Sequence, residues 1–464
     1  MTGVGDTPRD LGEYIRETRR RLVALERRQM PSVGEAMPGG HFYGETRVGY
    51  LDGWYRGGGP AKVRIGSLDN ALTTTGLTWR TPYIPNKGRV VSLVWNGTTW
   101  EIAGQPEVAA DGSGFYNLLD SVNSNAWGTY NTATMTRSYN ETIGATRLPT
   151  GLIMLTGLLY KTGTINSGDV ICTLPPICRP GRAVILSVNY GDAARAITIN
   201  TNGTIVARTA WGSSQYLNFD GVCFWALDSE ATGNWINVGS GGSSYGANYG
   251  LWTTADEARF YQDRYGWTWF DGLVKITGTT SADNTNIITL PAAYRTAKEL
   301  HMTGVANDFG MGFGATSTNG LNWKTNSPTG INGWIGISGQ AWCSASGDTL
   351  SPWYTTYSYI NSWAQNGPTF PNVQWVRRPD GLAAMRGLVS GGANNATITR
   401  LNGYPELWPA ARRIICPVFA NLARARIDIM GDREDGGQAP QDVIPAAGVT
   451  TGAWASLDSI RYVP

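Results

Sequence analysis

The chain has 464 residues, among them 60 glycines, 19 tryptophans and 21 tyrosines, and it is 41% hydrophobic and only 16% charged. That apolar content can supply several cores and excludes a disordered chain, while a net charge of +2 excludes broad binding of nucleic acid or anionic membrane by bulk electrostatics. The polar start and the lack of any long apolar run argue against a secretion signal or membrane insertion.

Residues 7 to 29 read as the only long helix. Asp6 or Thr7 can cap it, Pro8 suits its first position, and Asp10 and Glu13 favour the positive end of its dipole. Leu11, Ile15, Thr18, Leu22 and Leu25 alternate at spacings of four and three, the seam of a coiled coil. A seam containing Thr18 is weak, so the helix fits a short bundle seeded by association of the parts behind it. A single amphipathic helix docked on another protein is the alternative. Pro31, Pro38 and Gly39-Gly40 end it in a linker.

From His41 to about Val108 the pattern turns to β. AKVRIG at Ala61, GRVVSLVWNG at Gly88 and WEIAG at Trp100 are strand runs, and Asn96-Gly97 marks a hairpin. Val90 to Trp95 is apolar on both faces, which predicts a strand curled into a small barrel. The segment from Tyr83, with Pro85, Gly88 and a closing Gly104, resembles the OB-type barrels of phage tail proteins, although Arg89 stands where an acidic residue often follows the glycine. Such barrels can stack single-stranded bases, but no dense basic groove accompanies this one.

Three weakly similar units follow. Each has a Gly-Leu strand with a second glycine six residues on: GLIMLTG at Gly151, GLVKITG at Gly272 and GLAAMRG at Gly381. Each continues with VICTLP at Val170, IITLP at Ile287 or TITRL at Thr397, and then with AVILSV at Ala183, ELHMTGV at Glu299 or RIICPVF at Arg413. Trp235, Trp342 and Trp454 stand at the ends and read as structural. Repetition in this order predicts tandem β modules. The expected division is 1-40 helix and linker, 41-110 OB-like β-barrel, 111-240, 241-347 and 348-464 three β-sandwich modules. GSGGSS at Gly239 reads as a flexible linker between the first two modules.

Helix, barrel and modules in this order resemble a minor tail protein or tail-fibre-like receptor-binding protein of a tailed, siphovirus-type bacteriophage. Gly151, Leu152, Leu174, Pro175 and Trp235, then Gly272, Leu273, Leu290, Pro291 and Trp342, then Gly381, Leu382, Leu401 and Trp454 carry the likeness; Asn402 replaces the proline of the third unit. The resemblance implies a mainly β fold with jelly-roll-like sandwiches, a homotrimer, and assembly in the host cytoplasm into the virion at the tail tip. It further implies partners among other phage tail proteins, reached through the N-terminal region, and a bacterial cell-surface glycan or protein receptor.

Catalysis has little to stand on. His41 and His301 are the only histidines, and GMGFG at Gly310 lacks the Lys-Ser/Thr pair and following helix of a phosphate loop. The five cysteines, at 172, 178, 223, 343 and 416, lack paired metal spacing and read as buried hydrophobes. No cofactor and no enzyme activity are expected. Asp432, Glu434 and Asp435 form the densest acidic point, a solvated loop or else a calcium loop, and a carboxylate-pair depolymerase stays open as a third class. Sugars favour aromatic platforms beside polar groups, so the turn-rich stretch holding Asp308, Trp323, Asn332 and Trp334 is the expected ligand site. A purely structural tail-tip component is the runner-up.

Overall fold

A computed structural model describes short β segments between residues 46 and 129 and the chain from 143 to 463. Breaks in the latter fall at 162, 192, 213–214, 279–284, 325–332, 351–352, 356–358, 394, 402–413, 421–422, 431–441, 448 and 450–452. The expected helix with Leu11, Ile15, Thr18, Leu22 and Leu25, residue His41, and the acidic point at 432–435 lie outside the described residues. The chain divides into two compact units, 1–108 and 109–464.

The first unit is a closed barrel of strands Thr46–Leu51, Ala61–Ile65, Leu72–Trp79, Val90–Trp95 and Trp100–Gly104. The ring runs first, second, third, fifth, fourth and back to the first. Its contacts are antiparallel except where Thr78 and Trp79 lie parallel to Glu101 and Ile102. Register shifts at Ala61/Val63 and Ser92/Leu93 bend the strands enough to close so small a ring. Leu93 is fully buried, as the doubly apolar pattern of its strand requires.

The second unit is mainly β and contains three copies of one strand order. In each, a hairpin leads into an inner sheet and the chain then crosses to an outer sheet. The inner sheets run Cys223–Trp225, Leu152–Thr156, Gly144–Arg147, Gly114–Asn117; then Ala341–Cys343, Trp267–Asp271, Arg259–Gln262, Ile236–Asn237; then Arg461–Tyr462, Ala383–Arg386, Gln374–Arg377, Tyr354–Thr355. The outer sheets share an order too. In the second copy it is Tyr249–Leu251, Leu273–Ile276, Trp334–Gly336, Leu300–Ala306, Phe309–Ala315, Gly320–Trp323, Asn286–Thr289. One bridge, Arg195 to Phe309, joins the outer sheets of the first two copies.

Two glycines per copy make this path possible. Gly151, Gly266 and Gly381 close the hairpin turns at φ +83°, +76° and +97°. Each donates its N–H to the residue three back, Leu148, Asp263 or Arg378. Gly157, Gly272 and Gly387 sit at the corner between sheets, at φ +105°, +106° and +132°. Only glycine takes such a backbone at low cost. A corner Cβ would also meet backbone: Gly272 would place one 2.3 Å from the Glu257 carbonyl oxygen.

This pairing corrects the sequence register of the second copy. The equivalent of GLIMLTG and GLAAMRG is GWTWFDG at Gly266, not GLVKITG, whose first glycine occupies the place of Gly157. The closing tryptophans are not equivalent either. Trp342 faces Thr268 across the inner sheet, where Phe224 faces Ile153 and Tyr462 faces Ala383. Trp454 matches Trp334 and Tyr216 on the outer sheets, facing Ser390, Lys275 and Tyr160. GSGGSS is a bonded turn rather than a free tether: the Ser243 hydroxyl donates to the Ser240 carbonyl at 2.6 Å, and Ser244–Tyr245 pairs with Asn286–Thr289. GMGFG is strand.

Strand alternation explains why the copies cannot stand apart. In the inner sheets Ile153 and Leu155, Phe270, and Ala383 and Met385 point into three separate cores. Their neighbours Leu152 and Met154, Trp267 and Trp269, and Leu382 and Ala384 point the other way, into a fourth core shared by all three. Both faces of the central inner-sheet strands Leu152–Thr156, Trp267–Asp271 and Ala383–Arg386 are therefore largely buried. At roughly 1.5–3 kcal/mol per fully buried large apolar side chain, the shared core is a major term holding 109–464 together.

The outer rims interlock in one rotational sense. Asp220, Ser338 and Asp458 are equivalent, and each accepts the corner N–H of its own copy, from Gly157, Gly272 and Gly387. Asp220 also accepts the Ile415 N–H from the third copy at 2.9 Å. Asp458 likewise accepts the His301 N–H from the second at 2.7 Å. Ile415 and His301 hold the same place in their strands. The copies are thus related by an approximate three-fold axis within one chain.

Candidate functional site

A cleft in the second unit lies at the seam of the first two copies. It has a volume of about 200 Å³, room for one sugar ring rather than the roughly 300–1,000 Å³ of a drug-sized pocket. Trp235 reaches it because the next residues, Ile236–Asn237, pair with Arg259–Gln262 at the edge of the second inner sheet. Arg259 and Asp271 are directly opposite across the adjacent strand pair. Arg182 arrives from the first copy, just ahead of the strand Val184–Tyr190. Leu227, 60% exposed, stands at the rim.

One buried carboxylate serves two guanidinium groups here. Arg182 Nε and Arg259 Nη2 approach Asp271 Oδ2 at 2.8 and 2.7 Å, and the Ser338 hydroxyl donates to Oδ1 at 2.7 Å. Burial pushes the Asp271 carboxyl up, but Arg182, Arg259 and the Ser338 hydroxyl together outweigh it and hold the group below its ordinary value. For Arg259, burial pulls the guanidinium down and Arg182 adds to that pull, while Asp271 opposes it. The Arg259 guanidinium lies 4.5 Å from the centre of the Trp235 ring. Trp235 and the two arginines around Asp271 make an apolar wall beside one surplus positive charge.

The next seam repeats the plan with the charges balanced. Trp353 matches Trp235, Gln374 matches Arg259 and Arg386 matches Asp271. Arg386 lies 4.0 Å over Trp353 and pairs with Asp348 at 2.6 Å, one guanidinium to one carboxylate. Among the described residues, the excess guanidinium belongs to the first of these two seams.

The expected ligand residues are placed otherwise. Trp323 lies in the strand Gly320–Trp323, 1% exposed, in the core of the second copy. Trp334 lies in the strand Trp334–Gly336, 7% exposed, packed against Ile185 and Val305. Rings so covered offer no face to a sugar, which corrects their placement on loops. Asp308 pairs with Arg208 of the first copy at 2.8 Å, and the same guanidinium lies 4.7 Å over Trp334. These two residues are therefore brought together, as a contact between copies. Asn307 and Asp308, at φ +46° and +69°, form the tight turn joining Leu300–Ala306 to Phe309–Ala315. Asn332 lies outside the described residues.

His301 is 7% exposed, its ring edge-on to Trp454 at 5.0 Å and its Nε2 3.2 Å from Glu299 Oε1. All five cysteines are free and buried. Sequence reasoning passed over Arg182, Arg259 and Asp271 because no spacing joins them. The available signal was Trp235 itself, standing just before a short edge strand. Comparison with family models, with curated proteins and with solved structures finds no match.

Proposed function

We propose that this chain is a structural, non-enzymatic virion protein of a phage tail tip whose sandwiches recognise a bacterial cell-surface glycan. The observation that carries the site is the cleft of Trp235 with Arg182 and Arg259 sharing Asp271. An indole wall receives the apolar face of a sugar, and the surplus guanidinium favours an acidic one. The ring order of the N-terminal barrel, with its parallel third and fifth strands, supports the OB-type likeness to tail proteins. The paired sheets around three sandwich cores support the jelly-roll-like reading of the copies. Association through Leu11, Ile15, Thr18, Leu22 and Leu25 into a homotrimer, with other tail proteins bound through the same N-terminal region, multiplies weak sites into avidity on a repetitive surface.

The test is adsorption of purified full-length protein to a panel of bacterial cells and to their isolated surface polysaccharides. Trp235→Ala is expected to weaken adsorption about tenfold or more, measured well below a thermal midpoint that falls somewhat because the indole also packs on the shared core beside Tyr261. Undiminished adsorption by that variant removes the cleft from the reading. Absence of adsorption to every cell favours the second reading, a structural tail-tip component, which the commitment of Trp323, Trp334 and Asp308 to packing between and within the copies supports.

A further inference from the structure

A second cavity lies where the three copies meet. Its volume is about 40 Å³. Ser187, Thr303 and Pro417 line it from the same place in the equivalent strands Val184–Tyr190, Leu300–Ala306 and Ile414–Ala420. Equivalent contributions from all three copies put it on the approximate three-fold axis. Arg461 completes the lining.

Arg461 is 3% exposed. Its Nη1 donates to the Gly339 carbonyl at 2.9 Å and its Nη2 to the Ala341 carbonyl at 2.6 Å, while Nε–H has no partner. Among the described residues no carboxylate oxygen lies within 4 Å of it. The other buried guanidinium of the shared core, Arg378, has two, Asp263 at 2.7 Å and Asp380 at 2.6 Å. Both carboxylates are thereby committed to Arg378. Cys223, the equivalent of Arg461 in the first copy, has its sulfur 3.9 Å from Nη1. Burial pushes that thiol up against the pull of Arg461 and Arg378, so it is a neutral neighbour. Carbonyl dipoles satisfy part of a guanidinium but supply no counter-charge, and a buried charge without one is unfavourable.

We propose that a halide-sized monovalent anion, chloride in ordinary buffers, occupies this axial cavity and is held by Arg461. The volume suits one small ion, since a water-sized occupant needs only about 10–15 Å³ of such space, and it is too small for a sugar. Positive charge and an unfilled N–H select an anion over a cation. Ser459, which also lines the cavity, accepts the Thr303 N–H at 2.9 Å and keeps its own hydroxyl proton to turn toward the ion. The bound anion ties the third copy to the first two beside a guanidinium that, among the described residues, has the Trp269 ring 5.8 Å away but no carboxylate partner. This site is separate from the Trp235 cleft and does not rest on the glycan reading.

The experiment uses the full-length protein. Its thermal midpoint is measured in sodium chloride, sodium bromide and sodium gluconate at equal ionic strength, and crystals grown in bromide are read for anomalous scattering. The expected result is a midpoint that rises with chloride or bromide concentration relative to gluconate, as single-site binding to the folded state requires. A bromide peak within hydrogen-bonding distance of Arg461 Nε is expected with it. In Arg461→Met the halide dependence disappears; if that variant does not fold, the bromide peak in the unaltered protein decides. A midpoint indifferent to the halide, or a cavity holding only water in bromide, overturns the proposal.

Discussion

Arg378 shows how a single side chain records the assembly of the three copies. It is the first residue of its hairpin turn, as Leu148 and Asp263 are of theirs, and its guanidinium is fully buried between Asp263 and Asp380. Thr150, from the first hairpin, donates to Asp380 at 3.3 Å, so all three turns touch one network. Burial pulls the Arg378 guanidinium down, but the two carboxylates outweigh it and keep it charged. Tyr265 lies beneath it, 4.5 Å from the ring centre. Arg378→Met leaves two carboxylates buried without their partner. The expected cost is about 3–5 kcal/mol, read as a lower denaturant midpoint, and Asp263→Asn with Asp380→Asn in the same chain should recover much of it. No spacing in the sequence announces this network, because Asp263 and Arg378 belong to different copies.

Among the elements, the corner between inner and outer sheet is tightly constrained. At Gly272 a side chain meets both an unfavourable φ and the Glu257 backbone, neither of which can relax cheaply. Gly233 has a similar φ, +82°, but open space around it. Gly233→Ala should therefore cost about 1–2 kcal/mol and Gly272→Ala clearly more, compared by urea midpoints of the two variants. Equal costs would mean that backbone conformation alone, and not the crossing between sheets, sets the requirement. The glycine pairs of the first and third copies were legible in the sequence because leucine follows the leading glycine in both. The second pair was disguised: tryptophan follows Gly266, while a Gly-Leu-Val run begins one strand later and imitates the pattern.

Across the whole molecule, residues 109–464 behave as one unit rather than as beads. The shared core draws Leu152 and Trp225 from the first copy, Trp267 and Trp269 from the second, and Leu382 and Val463 from the third. Trp225 and Trp267 both pack on Trp269, at 5.4 and 6.3 Å between ring centres. A chain ending at Leu350 loses the third wall and uncovers these rings. It should unfold without the cooperative transition of the full chain and bind an apolar-surface dye in buffer. A sharp transition with no dye binding would mean that the first two copies close their inner faces alone. The three copies thus assemble within one chain.

By itself the sequence determined the β class, the barrel-forming apolarity of Val90 to Trp95, the threefold recurrence, and the burial of Cys172, Cys223 and Cys416. These depend on period-two alternation and glycine spacing, which are local properties. Only the tertiary structure decided the register of the second copy, the burial of Trp323 and Trp334, and the meeting of Arg182 and Arg259 at Asp271. Strand alternation says which side chains share a face but not what covers that face. Here the cover comes from strands distant along the chain: Trp323 is enclosed by its own copy, Trp334 packs on Ile185 of the first copy, and Arg182 reaches Asp271 from 89 residues away.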